Sequence, residues 1–186
     1  MRLELTSVIP ADSHNYDLSL GAMRLHEAVC KLDQYGLGHV MTGMRHSVSH
    51  PDPDIRQMVQ GNVDEIMHAY AVLYYFSVWD HCFDATQSDD ILTNWATPDE
   101  AQMFRALKHI RHSTAHSFSG KRANQSRGPF EAVMNSTQAF HGLVWDQAAD
   151  TIDLTNSQIS TDCRAFFHEF AKGLSGRLLN DKRPTA

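Results

Sequence analysis

Cysteine and long apolar runs are both scarce in this 186-residue chain, and each shortage excludes a class of protein. Three cysteines (Cys30, Cys82, Cys163) with no paired spacing give no disulfide framework, so a reducing cytoplasm is the expected location. The most apolar run, "AYAVLYYFSVW" at 69–79, is too short to cross a bilayer. The N-terminal "MRLELTSVIPADSH" lacks the apolar stretch of a secretory signal. The chain is therefore expected to be neither secreted nor membrane-spanning. No low-complexity tract interrupts it, and at 21.0 kDa with 42% hydrophobic and 20% charged residues it fits a single globular domain over 1–186.

Acidic residues are missing from one segment. The net charge is −6, which argues against a surface coated in positive charge for nucleic acid. Yet no Asp or Glu lies between Glu100 and Glu131, where Arg105, Lys108, Arg111, Lys121, Arg122 and Arg127 supply 6 of the 16 basic residues. A local concentration of this kind suits capture of a polyanion, because each neutralised phosphate releases condensed counterions. The competing reading is a solvated charged face.

The apolar spacing predicts an all-α helical bundle of about five helices. Leu18, Leu25, Val29 and Leu32 mark an amphipathic helix over 14–36, with Gly36 as its stop. A Gly/Pro-rich loop follows to 54, and a long helix over 54–84 carries so wide an apolar face that it is expected to be the central, most buried member. "TPDE" at 97–100 places Thr at the N-cap, Pro at the first helical position and Glu three residues after the cap, so a helix starts there. It runs through Met103, Phe104, Leu107 and Ile110, with Ser113, Thr114 and the segment after them weakening or ending it. A short helix over 129–140, a small β-hairpin over 141–155 and a last helix over 160–180, capped by Ser160 or Thr161, complete the reading.

One short motif is doubled. "RHSVSH" (Arg45 to His50) and "RHSTAH" (Arg111 to His116) agree at four positions, each with a histidine five residues after an arginine. An arginine can grip a phosphate with two N–H groups and stabilise a phosphorane, and an imidazole titrating near neutrality can move protons. RNA needs no metal for cleavage by this chemistry. Its own 2′-OH attacks phosphorus once a base takes the proton, while an acid protonates the departing 5′-oxygen. Positions five apart on a straight α-helix stand about 140° apart, so Arg111 and His116 share a face only if the helix ends or a partner subunit closes the gap. A two-fold dimer would bring two copies of each into one cleft.

The segment "IRHSTAHSF" at 110–118, at the end of a helix in a small all-α domain, resembles the HEPN superfamily motif of an Arg, four to six residues and a His. Arg111, the polar His112, His116 and the aromatic Phe118 carry the resemblance, which is clearest over 54–118. Members often have Asn after the Arg and Gly after the His, where this chain has His112 and Ser117. The resemblance implies a metal-independent endoribonuclease with no cofactor, of a toxin, anti-phage or RNA-processing kind, whose composite site spans a homodimer. Arg111 would stabilise the phosphorane, His116 would act as general acid or base, and His112 would orient or share the proton. Arg105, Lys108, Lys121, Arg122 and Arg127 would bind the RNA. The alternative is a catalytically inactive dimer that binds nucleic acid or docks a separately encoded partner, such as an antitoxin.

Other residues have plainer readings. The Arg45 copy sits in the Gly/Pro-rich loop and reads as solvated, and the stripe His109, His112 and His116 lacks the carboxylate or cysteine that usually accompanies a native metal site. Asp80, His81 and Asp84 read as helix-end capping and solvation rather than partners of a catalytic histidine. Tyr70, Tyr74, Tyr75 and Phe76 read as core rather than as a base-stacking platform. Cys82 and Cys163 read as inert packing residues.

Overall fold

The computed structural model describes residues 15–35, 51–118, 144–146, 151–153 and 158–184. These form an all-α bundle: α1 (Tyr16–Tyr35), α2 (Pro53–Cys82), a short α3 (Ala85–Asp90) running into a π-helical turn (Ile91–Trp95), α4 (Pro98–Phe118) and α5 (Ile159–Leu179). A two-stranded antiparallel ladder, β1 (Val144–Asp146) with β2 (Thr151–Asp153), pairs Trp145 with Ile152, and β2 lies beside α4. α5 packs on α1 and α2, and α2 packs in addition on α1 and α4.

The helix boundaries follow from local chemistry. Asp52 caps α2 by accepting from the Asp54 and Ile55 amides, just ahead of Pro53 at the first turn. Asp84 and Gln87 form a reciprocal capping box at α3. The expected box at Thr97 is formed as well: the Glu100 amide donates to Thr97 Oγ1 at 3.2 Å, and the Thr97 amide donates to Glu100 Oε2 at 2.7 Å. That carboxylate also receives Arg177 Nη2 at 2.8 Å, which ties the start of α4 to the last turn of α5. The cap expected for α5 is different. Gln158 occupies the N-cap without a side-chain bond, while Ser160 Oγ lies 3.0 Å from His68 Nδ1 on α2, so the hydroxyl is spent across the bundle.

An aromatic cluster fills the centre. Trp79 of α2 stacks on Phe170 of α5 with ring centroids 5.7 Å apart and meets Phe104 of α4 at 4.7 Å. Phe76 and Phe167 pack edge-on within the same group, and Tyr75 stacks on Phe167 at 5.5 Å. The indole Nε1 donates to Ser88 Oγ at 2.8 Å, so the one polar atom of Trp79 is satisfied inside the core.

The long helix departs from expectation along its first half. Its buried residues begin at Met67, while Ile55, Met58 and Ile66 are exposed and Tyr70 and Tyr74 are 59% and 46% exposed. Only Tyr75 and Phe76 of the aromatic run belong to the core. Helix length accounts for the first half, while Tyr70 and Tyr74 lie on the face of the second half opposite the buried Val72, Phe76 and Trp79. At a rise of 1.5 Å per residue, the 30 residues of α2 span about 45 Å against about 30 Å for the 20 or 21 of its neighbours. The surplus turns have no described helix to cover them. The expected helix over 129–140 and the loop over 36–50 lie outside the described residues.

Gly21 marks the tightest crossing. A Cβ there would run into the Phe83 ring and stand 2.9 Å from the Cys82 carbonyl, whereas a Cβ at Gly176 would meet nothing within 4 Å. Gly21→Ala is expected to destabilise the protein by about 1–3 kcal/mol through overpacking. Gly176→Ala should instead stabilise it by about 0.5–1 kcal/mol, because alanine loses less backbone entropy in a helix. Urea unfolding midpoints of the two variants would check both signs.

Candidate functional site

The doubled hexapeptide divides between described and undescribed chain. Arg45 to His50 lies outside the described residues, as do Lys121, Arg122 and Arg127. The second copy lies wholly inside α4, which continues to Phe118, so the motif occupies the last two turns of an unbroken helix rather than the point where a helix stops. Arg111 and register position 116 therefore stand about 140° apart around one helix. The side chain of His116 lies outside the described set.

Two faces of α4 result. Phe104, Leu107, Ile110 and Thr114 are buried and hold the helix on the bundle. On the far side Arg105, Lys108 and His112 are all exposed, and their registers fall within about 60° of one another, with position 116 in the same stripe. Arg111 sits at the edge of the buried face. Its Nη2 donates to Asp80 Oδ2 of α2 at 2.7 Å, and its guanidinium carbon stands 5.3 Å from the centroid of the Phe76 ring.

The Asp80 to Arg111 pair is only partly withdrawn from water, with side chains 50% and 34% exposed. Such a pair contributes at most about 1 kcal/mol to stability. Its larger effect is orientation. A carboxylate on one nitrogen and an aromatic face beneath fix the plane of the guanidinium, and a guanidinium carries five N–H donors, so an anion arriving from solvent still finds donors held in a defined direction. Asp80, read from sequence as a solvating residue at a helix end, thus positions the arginine, while Asp84 does cap α3 as expected. The signal for Asp80 was absent from the sequence, because it comes from a helix 31 residues earlier.

Histidines flank this face. Burial pushes the His109 imidazole below its ordinary value, and the charges of His112 and Lys108 push in the same direction. Both thiols read as inert behave accordingly. Burial raises Cys82 despite the Arg24 charge that opposes it, and fully buried Cys163 is raised further.

A second cluster escaped the sequence reading. His26 and Cys30 of α1, one helical turn apart, meet His168 of α5, with ligand atoms of all three within 4.8 Å of one another. The pair one turn apart was legible; the third member lies far along the chain and could be found only by folding it.

Comparison with known proteins adds nothing to this geometry: no family model, curated protein or solved structure matches the chain.

The lowered His109 pKa has a stability consequence. The unfolded chain binds that proton more tightly than the folded one, so the contribution is fully present above the ordinary imidazole value of about 6.5 and is lost as pH falls through it. His109→Gln is expected to flatten the dependence of the urea midpoint on pH between neutrality and mildly acidic buffer. An unchanged slope would assign the acid sensitivity to other groups.

Proposed function

We propose that the chain is a metal-independent endoribonuclease of the HEPN kind, cleaving single-stranded RNA at a site completed by a second copy of itself. The observation that carries this reading is the Arg111 guanidinium, about one-third exposed and held by Asp80 and Phe76 on the helix that displays Arg105, Lys108 and His112. A phosphate docking on this helix would meet a preset arginine at one edge and a positive stripe beside it. Arg111 would take the charge that builds on the non-bridging oxygens as the 2′-OH attacks. His116 and His112 would supply the base that removes the 2′ proton and the acid that protonates the departing 5′-oxygen, leaving a 2′,3′-cyclic phosphate.

The continuous helix makes the second copy a requirement of the mechanism. Within one chain the Arg111 and His116 registers point about 140° apart, too far to grip one phosphodiester. An antiparallel neighbour would offer its own histidines to this arginine and receive the reciprocal pairing. The apolar row of Ile66, Tyr70 and Tyr74 on α2, exposed among the described residues, supplies area that a second copy would bury.

One observation favours a second reading. The charge of Arg111 is already compensated by Asp80, which is what a structural strut would show. On that reading the dimer binds nucleic acid through the Arg105, Lys108 and His112 stripe, or docks a separately encoded partner such as an antitoxin, and cleaves nothing.

Cleavage of single-stranded RNA in excess chelator separates the two. The wild type is expected to produce cyclic-phosphate ends. Arg111→Ala and His116→Ala should each lower the rate by about 10²-fold or more. Asp80→Asn should lower it by about 10- to 100-fold, with RNA affinity little changed, since only the aim of the arginine is lost. RNA binding without cleavage by the wild type, weakened by Arg105→Ala and Lys108→Ala, would establish the binding module instead.

A further inference from the structure

The structure assigns a zinc-type metal site to His26, Cys30 and His168, which nothing in the RNA-cleavage reading uses. His26 Nε2 and Cys30 Sγ lie 3.7 Å apart on one face of α1, and the His168 ring reaches them from α5 with its centroid 5.7 Å from that of His26. One ligand atom from each of the three falls within 4.8 Å of the others. Two ligands of a tetrahedral zinc ion, bound at about 2.0–2.3 Å, stand between about 3 and 4 Å apart, so small side-chain rotations close the set.

The donors have the right chemistry. Two neutral imidazoles and a thiolate form a borderline-soft set that suits Zn²⁺ and disfavours the hard, oxygen-seeking Mg²⁺ and Ca²⁺. Glu169 Oε1 lies 3.2 Å from His168 Nδ1. A carboxylate accepting from that nitrogen fixes the tautomer whose bare Nε2 can bind a cation, the usual partnership behind a metal-bound histidine. All three side chains are half-buried, so an ion can enter from solvent while the helices still shield it. On binding, the Cys30 S–H gives its proton to water as the metal–sulfur bond forms, with no change in oxidation state.

Placement suggests what the ion does. α1 and α5 lie against one another but are joined only through the whole intervening chain, and a metal bridging them clamps the first described helix to the last. Three protein donors leave a fourth tetrahedral position for water or a small ligand. His168 and Glu169 also line an open hollow with Thr161, Arg164 and Ala165, which gives such a ligand room.

Titration of the reduced, chelator-stripped full chain with Co²⁺ and then Zn²⁺ tests the assignment. One equivalent of Co²⁺ is expected to give a thiolate-to-cobalt charge-transfer band, which Zn²⁺ abolishes by displacement. Cys30→Ser should remove the band, His26→Ala and His168→Ala should each weaken binding at least about tenfold, and Glu169→Gln by about 10- to 100-fold. X-ray absorption of the zinc-loaded wild type should show one sulfur and two imidazoles, a readout that needs no variant to fold. A zinc ion held only by nitrogen and oxygen, as the His109 and His112 stripe would hold it, overturns the proposal. So does a charge-transfer band that survives in Cys30→Ser, or no band in the wild type.

Discussion

The bundle depends on one side chain having both its surfaces and its single polar atom satisfied at once. Trp79 lies against Phe104 of α4 and Phe170 of α5, so three helices meet on one indole, and Ser88 at the following short helix accepts its N–H. Aromatic pairs in this geometry add roughly 0.5–1.5 kcal/mol each beyond the area they bury. The hydrogen bond matters in a different way. It fixes how α2 hands over to α3, because an indole rotated to improve its packing would strand a buried donor. The crossing of α2 and α4, on which Arg111 and Asp80 depend, is therefore set by the core a few residues away.

That crossing turns one helix into two surfaces. The inner face of α4 is consumed by packing, and its basic residues are displaced to its edge or its back. Phe76 touches both worlds: it is buried beside Phe104 and also lies under the Arg111 guanidinium. A cation over an aromatic face gains most where water is partly excluded. The arginine thus inherits a fixed pose from the hydrophobic core, the preorganisation on which the proposed cleavage would draw. A basic residue on the exposed back of α4, such as Lys108, has no such aromatic support among the described residues.

Sequence reasoning recovered what is periodic and local. The apolar spacing located α1, α2, α4 and α5, and the Thr97 to Glu100 box was readable because capping needs only four consecutive residues. It misjudged α2, whose upstream turns overrun the neighbouring helices and whose Tyr70 and Tyr74 lie on the face opposite the buried Val72, Phe76 and Trp79 and are exposed among the described residues. It also placed Ser160 at a cap, where the hydroxyl instead meets His68 across the bundle. The same limit hid Asp80 behind Arg111 and His168 behind His26 and Cys30. Each is a pairing between helices, and helical period carries no information about which helix stands opposite.

Histidine shows how far environment outweighs residue type here. His68 is buried and hydrogen-bonded to Ser160, His109 is held neutral by burial and cationic neighbours, and His168 is drawn toward Glu169 beside a thiol. The first is a core strut, the second resists protonation, and the third stands where α1 and α5 meet. His112 lies on the exposed back of α4, away from that packing. Among the described histidines the fold thus separates the roles by depth and by neighbour, so a motif match selects a candidate but the helix face it occupies decides what that candidate can do.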